Sequence, residues 1–416
     1  MGVNVQHKRV TVMGLGRFGG GLGVTKWLLS QGAEVLLTDL ASEEELAQQL
    51  HELGTHPNLR CVFGEHRVDD FTSADIVVAN PAVPAPWNNI YVLSAWDAGV
   101  VVTTEIELLT KQLNRQNVIG VTGTSGKSTT ASMVFAALQS AGMKCHLGGN
   151  IGGSLLSEVS SIAPTDIVVL ELSSAMLWWL DKNGGWSPRI AILTTIEPNH
   201  IDWHGSFEEY KRCKELLFDH QLEGDISLTQ DPDATFDGLK VLGKHNQRNA
   251  AVAFLSAVGV GADPKLARAG ITNFLGLSHR LQFVCEGCYN DSKSTTPQAT
   301  TLAVDAFADS KQVHLIVGGY DKQVDLSQLA EQSERVACMY AIGATRNAIA
   351  ELATGKVKCF ETLQEAVQDA KTHLQEGEIL LLSPGCASWD QFENYEQRGE
   401  LFCTLVMEVA ANQQVQ

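Results

Sequence analysis

Residues 118–142 read VIGVTGTSGKSTTASMVFAALQSAG: an apolar run of strand length, a turn of Gly, Thr and Ser, then apolar residues returning at helical spacing. A strand that passes through a glycine turn straight into a helix leaves the first amides of that helix without internal partners, at the positive end of its dipole. Such a turn is built to hold phosphate, with glycines that let the backbone come close. Lys127 would reach the outer phosphates as a point charge, and the Ser128 hydroxyl would complete the shell of a magnesium ion arriving with ATP. The common P-loop spacing asks for a glycine five residues before Gly126, where this chain has Val121; its glycines are Gly120, Gly123 and Gly126.

The chain begins with another turn of this kind. KRVTVMGLGRFGGGLGVTKWLLSQGAEVLLTDL reads as strand, glycine turn, helix and strand, with Gly14, Gly16 and Gly19 in G-x-G-x-x-G and Asp39 at the end of the next strand-like run. Alone, that fingerprint suggests NAD. ADIVVANPAVP and VVTTEIELLTK continue the alternation, so residues 1–112 are expected to form one α/β domain. A second, 113–276, runs from the loop at 119 through TDIVVLELSSAML, RIAILTTIEPNHID and a helical HNQRNAAVAFLSAVG. The pattern restarts with VHLIVGGYD, ACMYAIGA and EILLLSPGCAS, predicting a third domain over 277–416. Strand-length apolar runs alternating with helical ones predict mostly parallel sheets covered by helices. The expected fold class is therefore α/β in three domains: Rossmann-like, P-loop ATPase, Rossmann-like. A dehydrogenase needs only the first loop and a simple ATPase only the second. Both together point to a nucleotide-linked substrate in one domain and ATP in the next, hence joining or kinase chemistry.

Composition narrows the partners. A net charge of −18 argues against a broad nucleic-acid surface, while local cations and helix N-termini still admit small anions. No apolar run reaches the roughly 18 residues of a membrane span, and the N-terminus lacks a signal-peptide pattern, so a cytoplasmic enzyme is expected. The nine cysteines are scattered; Cys285 and Cys288 form the only C-x-x-C and read as reduced structural thiols.

GVTGTSGKSTT, LELSS, PNHIDWHGSFEEYKRCK, GKHNQRNA, HRLQFV, NDSKSTTPQAT and LLSPGCASWDQFENYEQRGELF occur in the order found in Mur ligases, and the chain resembles that family over nearly its whole length. Within it, NDSKST and SPGCASWDQFENYEQRG resemble the D-glutamate-adding branch. The family's own loop has the form TGTxGK[ST][ST], which this loop fits. The resemblance implies an ATP-dependent acid–amino-acid ligase, monomeric, that adds D-glutamate to UDP-N-acetylmuramoyl-L-alanine in peptidoglycan synthesis. The substrate carboxylate attacks the γ-phosphate, and the incoming amine displaces phosphate from the acyl phosphate. Two anions must approach each other for this, so cations are needed at the loop.

The site residues follow from the same resemblance. Gly123, Thr124, Ser125, Gly126, Lys127, Ser128 and Thr129 would hold ATP, with Asn246 and Asn249 at the adenine and ribose side and Arg280 and Asp291 contributed by the third domain as it swings in. Ser128 and Glu171 would ligate one magnesium, and His200 and a carbamylated Lys214 a second. Read alone, His200 and Lys214 are equally a hydrogen-bonded loop histidine and a solvated helix lysine, and the asparagines equally helix caps. Gly16, Arg17, Phe18, Asp39, Asn80, Pro81 and Asn150 would contact the uridine-nucleotide substrate, and Lys293, Thr295, Lys322, Ser388 and Tyr395 the acceptor amino acid. Three positions depart from the family: Tyr395 where some members have Phe, Thr296 where several have Asn, and GGYDKQVD in place of GGDGK, with Lys322 kept. The alternatives are a Mur-type or folylpolyglutamate-type ligase with another acceptor, a NAD-dependent dehydrogenase, and a catalytically silent nucleotide-binding regulator.

Overall fold

The computed structural model describes residues 4–16, 20–231, 233–322 and 324–413, the side chains of Asp202 and of residues 409–413 excepted. Arg17 and Phe18 of the expected uridine-nucleotide set lie outside the described residues, as does Gly19. Among the described residues there are three sheets.

The first comprises β1 (Arg9–Met13), β2 (Glu34–Asp39), β3 (Leu59–Phe63), β4 (Ile76–Ala79) and β5 (Val101–Thr103), all parallel in the order β3-β2-β1-β4-β5. The glycine turn after β1 sits where that order reverses, with helix Gly20–Ser30 beyond it. The second comprises β6 (Val118–Thr122), β7 (Cys145–Gly149), β8 (Ile167–Glu171), β9 (Ile190–Leu193) and β10 (Ile226–Thr229), again all parallel, in the order β10-β9-β6-β8-β7. Its central strands are continuous apolar runs because both faces are covered: Val118, Ile119, Val121, Val168, Val169 and Leu170 are all 2% exposed or less. Full burial of such a side chain is worth about 1.5–3 kcal/mol, and the parallel backbone ladder between β6 and β8 fixes their register from Val118 opposite Val168 onward. That register sets Val121 opposite Glu171, so the acidic end of β8 stands beside the start of the glycine loop.

The third sheet comprises β11 (Gln282–Cys285), β12 (Cys288–Asn290), β13 (Val313–Gly318), β14 (Cys338–Ile342), β15 (Val357–Phe360) and β16 (Ile379–Leu382), in the order β11-β12-β16-β13-β14-β15. Among the described strands of this sheet, only the pair β11–β12 is antiparallel.

The chain divides into two compact units, Met1–Phe236 with Arg248–Ile271, and Asp237–Gln247 with Thr272–Gln416. The first two sheets share one unit and one core, in which Leu22, Trp27 and Leu28 pack in the same cluster as Leu155, Leu172 and Leu177. Polar ties reinforce that junction. Ser154 Oγ donates to Glu105 Oε1 at 2.5 Å, Asn183 Nδ2 to Val102 O at 3.1 Å, and Trp203 Nε1 to Val83 O at 3.0 Å. All nine cysteines are free thiols, and among the described residues no helix is long and apolar enough to cross a membrane.

Candidate active site

The loop between β6 and helix Lys127–Ser140 owes its shape to two glycines. Gly123 has φ +144°, and a Cβ there would lie 1.9 Å from Thr194 Oγ1; Gly126 caps the helix at φ +87°, and its Cβ would lie 2.7 Å from Asn249 Oδ1. The loop is then tied to the segment after β9. Thr124 N donates to Thr195 O at 2.6 Å, Ser125 N to Thr195 Oγ1 at 3.2 Å, and Thr194 Oγ1 to Ser125 O at 2.7 Å. Lys127, Ser128 and Thr129 are half-buried in the first turn of the helix, where amides lack intrahelical acceptors and anions are favoured. Lys127 Nζ donates back to Thr124 O at 2.9 Å, which folds its ammonium over the loop.

Glu171 is buried at the end of β8. Its Oε1 accepts from Asn150 Nδ2 at 2.9 Å, and Asn150 N donates to Glu171 O at 2.8 Å. Its Oε2 is buried with no hydrogen-bond partner. A buried, unsatisfied carboxylate oxygen is costly unless something fills it. Magnesium suits the donor set, since it takes oxygen ligands and keeps several of them as water and substrate phosphate. Among the described residues no group of three or more His, Cys, Asp or Glu could enclose a metal by itself, so Glu171 and Ser128 would serve an ion shared with phosphate.

Lys214 lies on helix Phe207–Asp219, only 2% exposed. Its Nζ donates to Gly123 O at 2.7 Å and sits 4.5 Å from the ring centroid of Tyr210, one turn earlier. Loss of water, and then the positive charge of Lys127, pull the amine down to about 7. The Tyr210 hydroxyl bonds Thr124 Oγ1 at 3.0 Å, and its ring lies 5.2 Å from that of His204 and 6.1 Å from that of His200. His200 is exposed and left-handed, φ +50°, at the head of the short helix Ile201–His204. Non-glycine residues are held in that conformation only where the surroundings enforce it. His204 Nε2 in turn lies 2.9 Å from the buried Ser174 Oγ, which joins this segment to the helix that follows Glu171.

Of the two asparagines, Asn249 is buried with its Oδ1 taken by Thr130 Oγ1 at 3.1 Å and Gln230 Nε2 at 2.5 Å, while Asn246, in the other unit, donates to Leu242 O at 2.6 Å. In the first sheet, Asp39 spends both oxygens on backbone: Oδ2 accepts from Leu15 N at 2.8 Å and Gly16 N at 3.3 Å, and Oδ1 from Ala41 N at 2.9 Å. The side chain of Asn80 stands over Gly14 and Gly16 and turns the chain at Pro81 by accepting from Ala82 N at 2.9 Å. Gly16, Asp39, Asn80 and Pro81 are thus gathered at one end of the sheet, whereas Asn150 belongs to Glu171.

The second unit gathers the remaining set. Arg280 is exposed between two left-handed residues, His279 and Leu281. Asp291 is buried, accepting from Leu281 N at 3.0 Å and Ser383 Oγ at 2.7 Å; burial pushes its carboxyl up to about 6. Lys293 Nζ is 5.2 Å from the ring of Tyr395, and Lys322 Nζ 5.2 Å from that of Trp389. Thr295 is half-buried just ahead of helix Pro297–Asp305, and Ser388 is buried after β16. Tyr210, Thr194, Thr195, Trp389 and Arg398 shape these sites without having been singled out in the sequence. The i, i+4 spacing of Tyr210 and Lys214 was the available signal for the first of them.

Comparison with known proteins identifies the family. Residues 8–104 match the MurD-like N-terminal domain of Mur ligases, 121–238 the Mur ligase middle domain, and 279–386 the Mur ligase glutamate ligase domain. The chain is 35% identical to the UDP-N-acetylmuramoylalanine–D-glutamate ligase of Roseiflexus sp. (strain RS-1), covering 96% of this chain and 98% of that one. It is 33% identical to the corresponding enzyme of Koribacter versatilis, over 98% and 99%. Among solved structures it is similar to the UDP-N-acetylmuramate-alanine ligase of Thermotoga maritima, with a TM-score of 0.53 at 18% identity over 99% and 100%. The MurF ligase of Thermotoga maritima in complex with ADP gives 0.51 at 16% identity over 97% and 96%. These two show the fold.

Proposed function

The chain belongs to the Mur ligase family, and from that premise we propose that it joins D-glutamate to UDP-N-acetylmuramoyl-L-alanine, converting ATP to ADP and phosphate, in the cytoplasmic stage of peptidoglycan precursor synthesis. The observation that carries this reading is the convergence on one loop: Lys127 and Lys214 both bind its carbonyls, while Glu171, whose β8 pairs with the strand leading into that loop, keeps a buried oxygen unpartnered.

The chemistry asks for this. The substrate carboxylate attacks the γ-phosphorus, the bond to ADP breaks, and an acyl phosphate forms; the acceptor amine then adds to the acyl carbon, phosphate leaves, and the amine's proton is lost. Repulsion between carboxylate and triphosphate opposes the first step, and the ammonium of Lys127 with the helix amides offsets it where charge develops. Magnesium held by Ser128 and Glu171 would neutralise phosphate charge. Lys214 is a cation that its surroundings hold close to neutrality, and a neutral amine takes up carbon dioxide, losing a proton to give a carbamate. That would convert a donor into an oxygen ligand, and His200, whose ring lies 6.1 Å from that of Tyr210, is the second expected ligand.

The first unit thus carries the phosphate loop and the set for the nucleotide-linked acid, while the second carries the acceptor set Lys293, Thr295, Lys322, Ser388 and Tyr395 together with Asn246, Arg280 and Asp291 of the expected ATP set. The test is phosphate release from ATP and magnesium with UDP-N-acetylmuramoyl-L-alanine and each amino acid in turn. Release is expected with D-glutamate and only when all substrates are present; release with a different amino acid, or none with any, would overturn the assignment.

A further inference from the structure

Helix Tyr395–Gln413 places Arg398 inside the second unit at 0% exposure. Its Nε donates to Ser292 Oγ at 3.0 Å, its Nη2 to Ser292 O at 2.9 Å, and its Nη1 to Cys386 O and Ala387 O, each at 3.2 Å. Ser292 Oγ passes the bond on to Tyr395 O at 2.8 Å. Among the described residues Arg398 forms no ion pair, and although burial draws its guanidinium down to about 10 it stays charged at neutral pH. A buried guanidinium facing carbonyls and a hydroxyl is hydrogen-bonded but not neutralised, which is costly unless an anion arrives or the geometry it enforces is needed.

Both reasons are visible in what it touches. Ser292 precedes Lys293, Ala387 precedes Ser388, and the Ser292 hydroxyl holds the backbone of Tyr395. Three of the five residues assigned to the acceptor are therefore anchored at or beside atoms tied to this one side chain, in segments that lie far apart in sequence. We propose that Arg398 is a positioning and specificity-determining residue for the amino-acid acceptor. It locks the 292–293 and 386–388 segments together and sets a permanent positive charge behind them that favours a dicarboxylate over its neutral isostere. Only a planar fork can bridge a hydroxyl and three carbonyls in this way; a lysine supplies the charge without the bridge. The inference rests on the reading that this unit receives the acceptor.

The test uses the full chain, with phosphate release measured against D-glutamate and against D-glutamine, which differs by one charge. Arg398→Lys is expected to raise KM for D-glutamate about tenfold and Arg398→Met about a hundredfold, the latter also lowering the preference for D-glutamate over D-glutamine. KM for ATP and for the UDP-substrate should stay within about twofold in each. Ser292→Ala, which keeps the charge and cuts the link to Tyr395, should raise KM for D-glutamate a few-fold and leave the preference intact. Thermal melting identifies a variant that fails to fold; should Arg398→Met fail, Arg398→Lys and Ser292→Ala decide. Unchanged KM and preference in folded variants, or a parallel rise in KM for all three substrates, refutes the role of Arg398 while leaving the ligase reading intact. If the wild-type protein releases phosphate with no amino acid, the ligase reading fails and takes this inference with it.

Discussion

Among the described residues, each unit of the molecule holds a buried cation that forms no ion pair, and the two are handled in opposite ways. Lys214, in the first, has one carbonyl and the face of Tyr210, and its amine is drawn down to about 7. Arg398, in the second, has four hydrogen bonds to carbonyl and hydroxyl oxygens and keeps its charge. Burial penalises the charged form in both. The lysine can shed its proton and so becomes available for chemistry, whereas the guanidinium cannot and so becomes scaffold. The difference in residue type therefore separates a reactive position from a shaping one.

The largest expected effect tests the third cation, Lys127, whose charge is the second cause of the low value at Lys214. Lys127→Ala should lower turnover on the order of a thousandfold, since a charge aimed at the developing phosphate charge is lost. It should also let the Lys214 amine rise, readable by isotope-edited NMR of the lysine ε-position. Turnover within tenfold of wild type would mean that the loop does not hold the reacting phosphate.

Next comes a direct contrast of the two buried cations through pH. The folded-state value of Lys214 is about 7, below the ordinary lysine value, so between that pH and about 10.4 the unfolded chain binds a proton that the folded chain does not. Stability contributed at this position therefore rises with pH across that window, while below about 7 both states are protonated and the penalty is full and constant. From pH 7 to pH 9 in buffers freed of carbon dioxide, the wild-type protein should gain roughly 2 kcal/mol relative to Lys214→Met in urea unfolding. Relative to Arg398→Met the wild-type protein should gain nothing over this range, because that guanidinium is charged in both states and the variant keeps the slope due to Lys214. Equal slopes in the two variants would break the comparison.

Glu171→Gln sharpens it from the other side. The substitution keeps the size of the side chain but removes the charge behind the unpartnered oxygen, so the magnesium concentration for half-maximal phosphate release should rise by about tenfold or more. Glu171 also raises the Lys214 amine, so its neutralisation should move that amine further down, opposite in sign to Lys127→Ala. A magnesium requirement that does not change would remove Glu171 from the metal site.

What could be read from the chain beforehand divides along the same line. The glycine loops and the mainly apolar strands β1, β6, β8, β13 and β16 were legible because local chemistry decides them: a turn that glycine tolerates best, or a run that a covered strand explains. The places of Lys127 at the start of its helix and of Glu171 at the end of β8 were legible for the same reason, each adjoining such an element. Arg398 was not, since QRGELF looks like a solvated helix face until the third sheet brings Ser292 and Ala387 against it. Nor were Thr194 and Thr195, whose meaning comes from β9 lying beside β6. Asp39 shows the limit of a motif: it stands where the fingerprint places it, yet both oxygens are occupied by backbone amides of its own neighbourhood.

The smallest effect concerns a pair that neither carries charge to the phosphates nor holds the acceptor. Ser174 Oγ and His204 Nε2, 2.9 Å apart and both buried, fasten the segment after Glu171 to the helix headed by His200. Ser174→Ala removes one buried hydrogen bond, a loss of about 1 kcal/mol in unfolding free energy. Should the bond also set the distance between the two metal-side segments, turnover will fall a few-fold and the magnesium dependence will shift, while KM for D-glutamate, which belongs to the other unit, stays put. Ser174→Thr, which keeps the hydroxyl, should restore the magnesium dependence if its methyl group fits. A stability loss with every kinetic constant unchanged would make the pair a fold element alone, and the left-handed turn at His200 would then be held by its own backbone and by Tyr210 without help from β8.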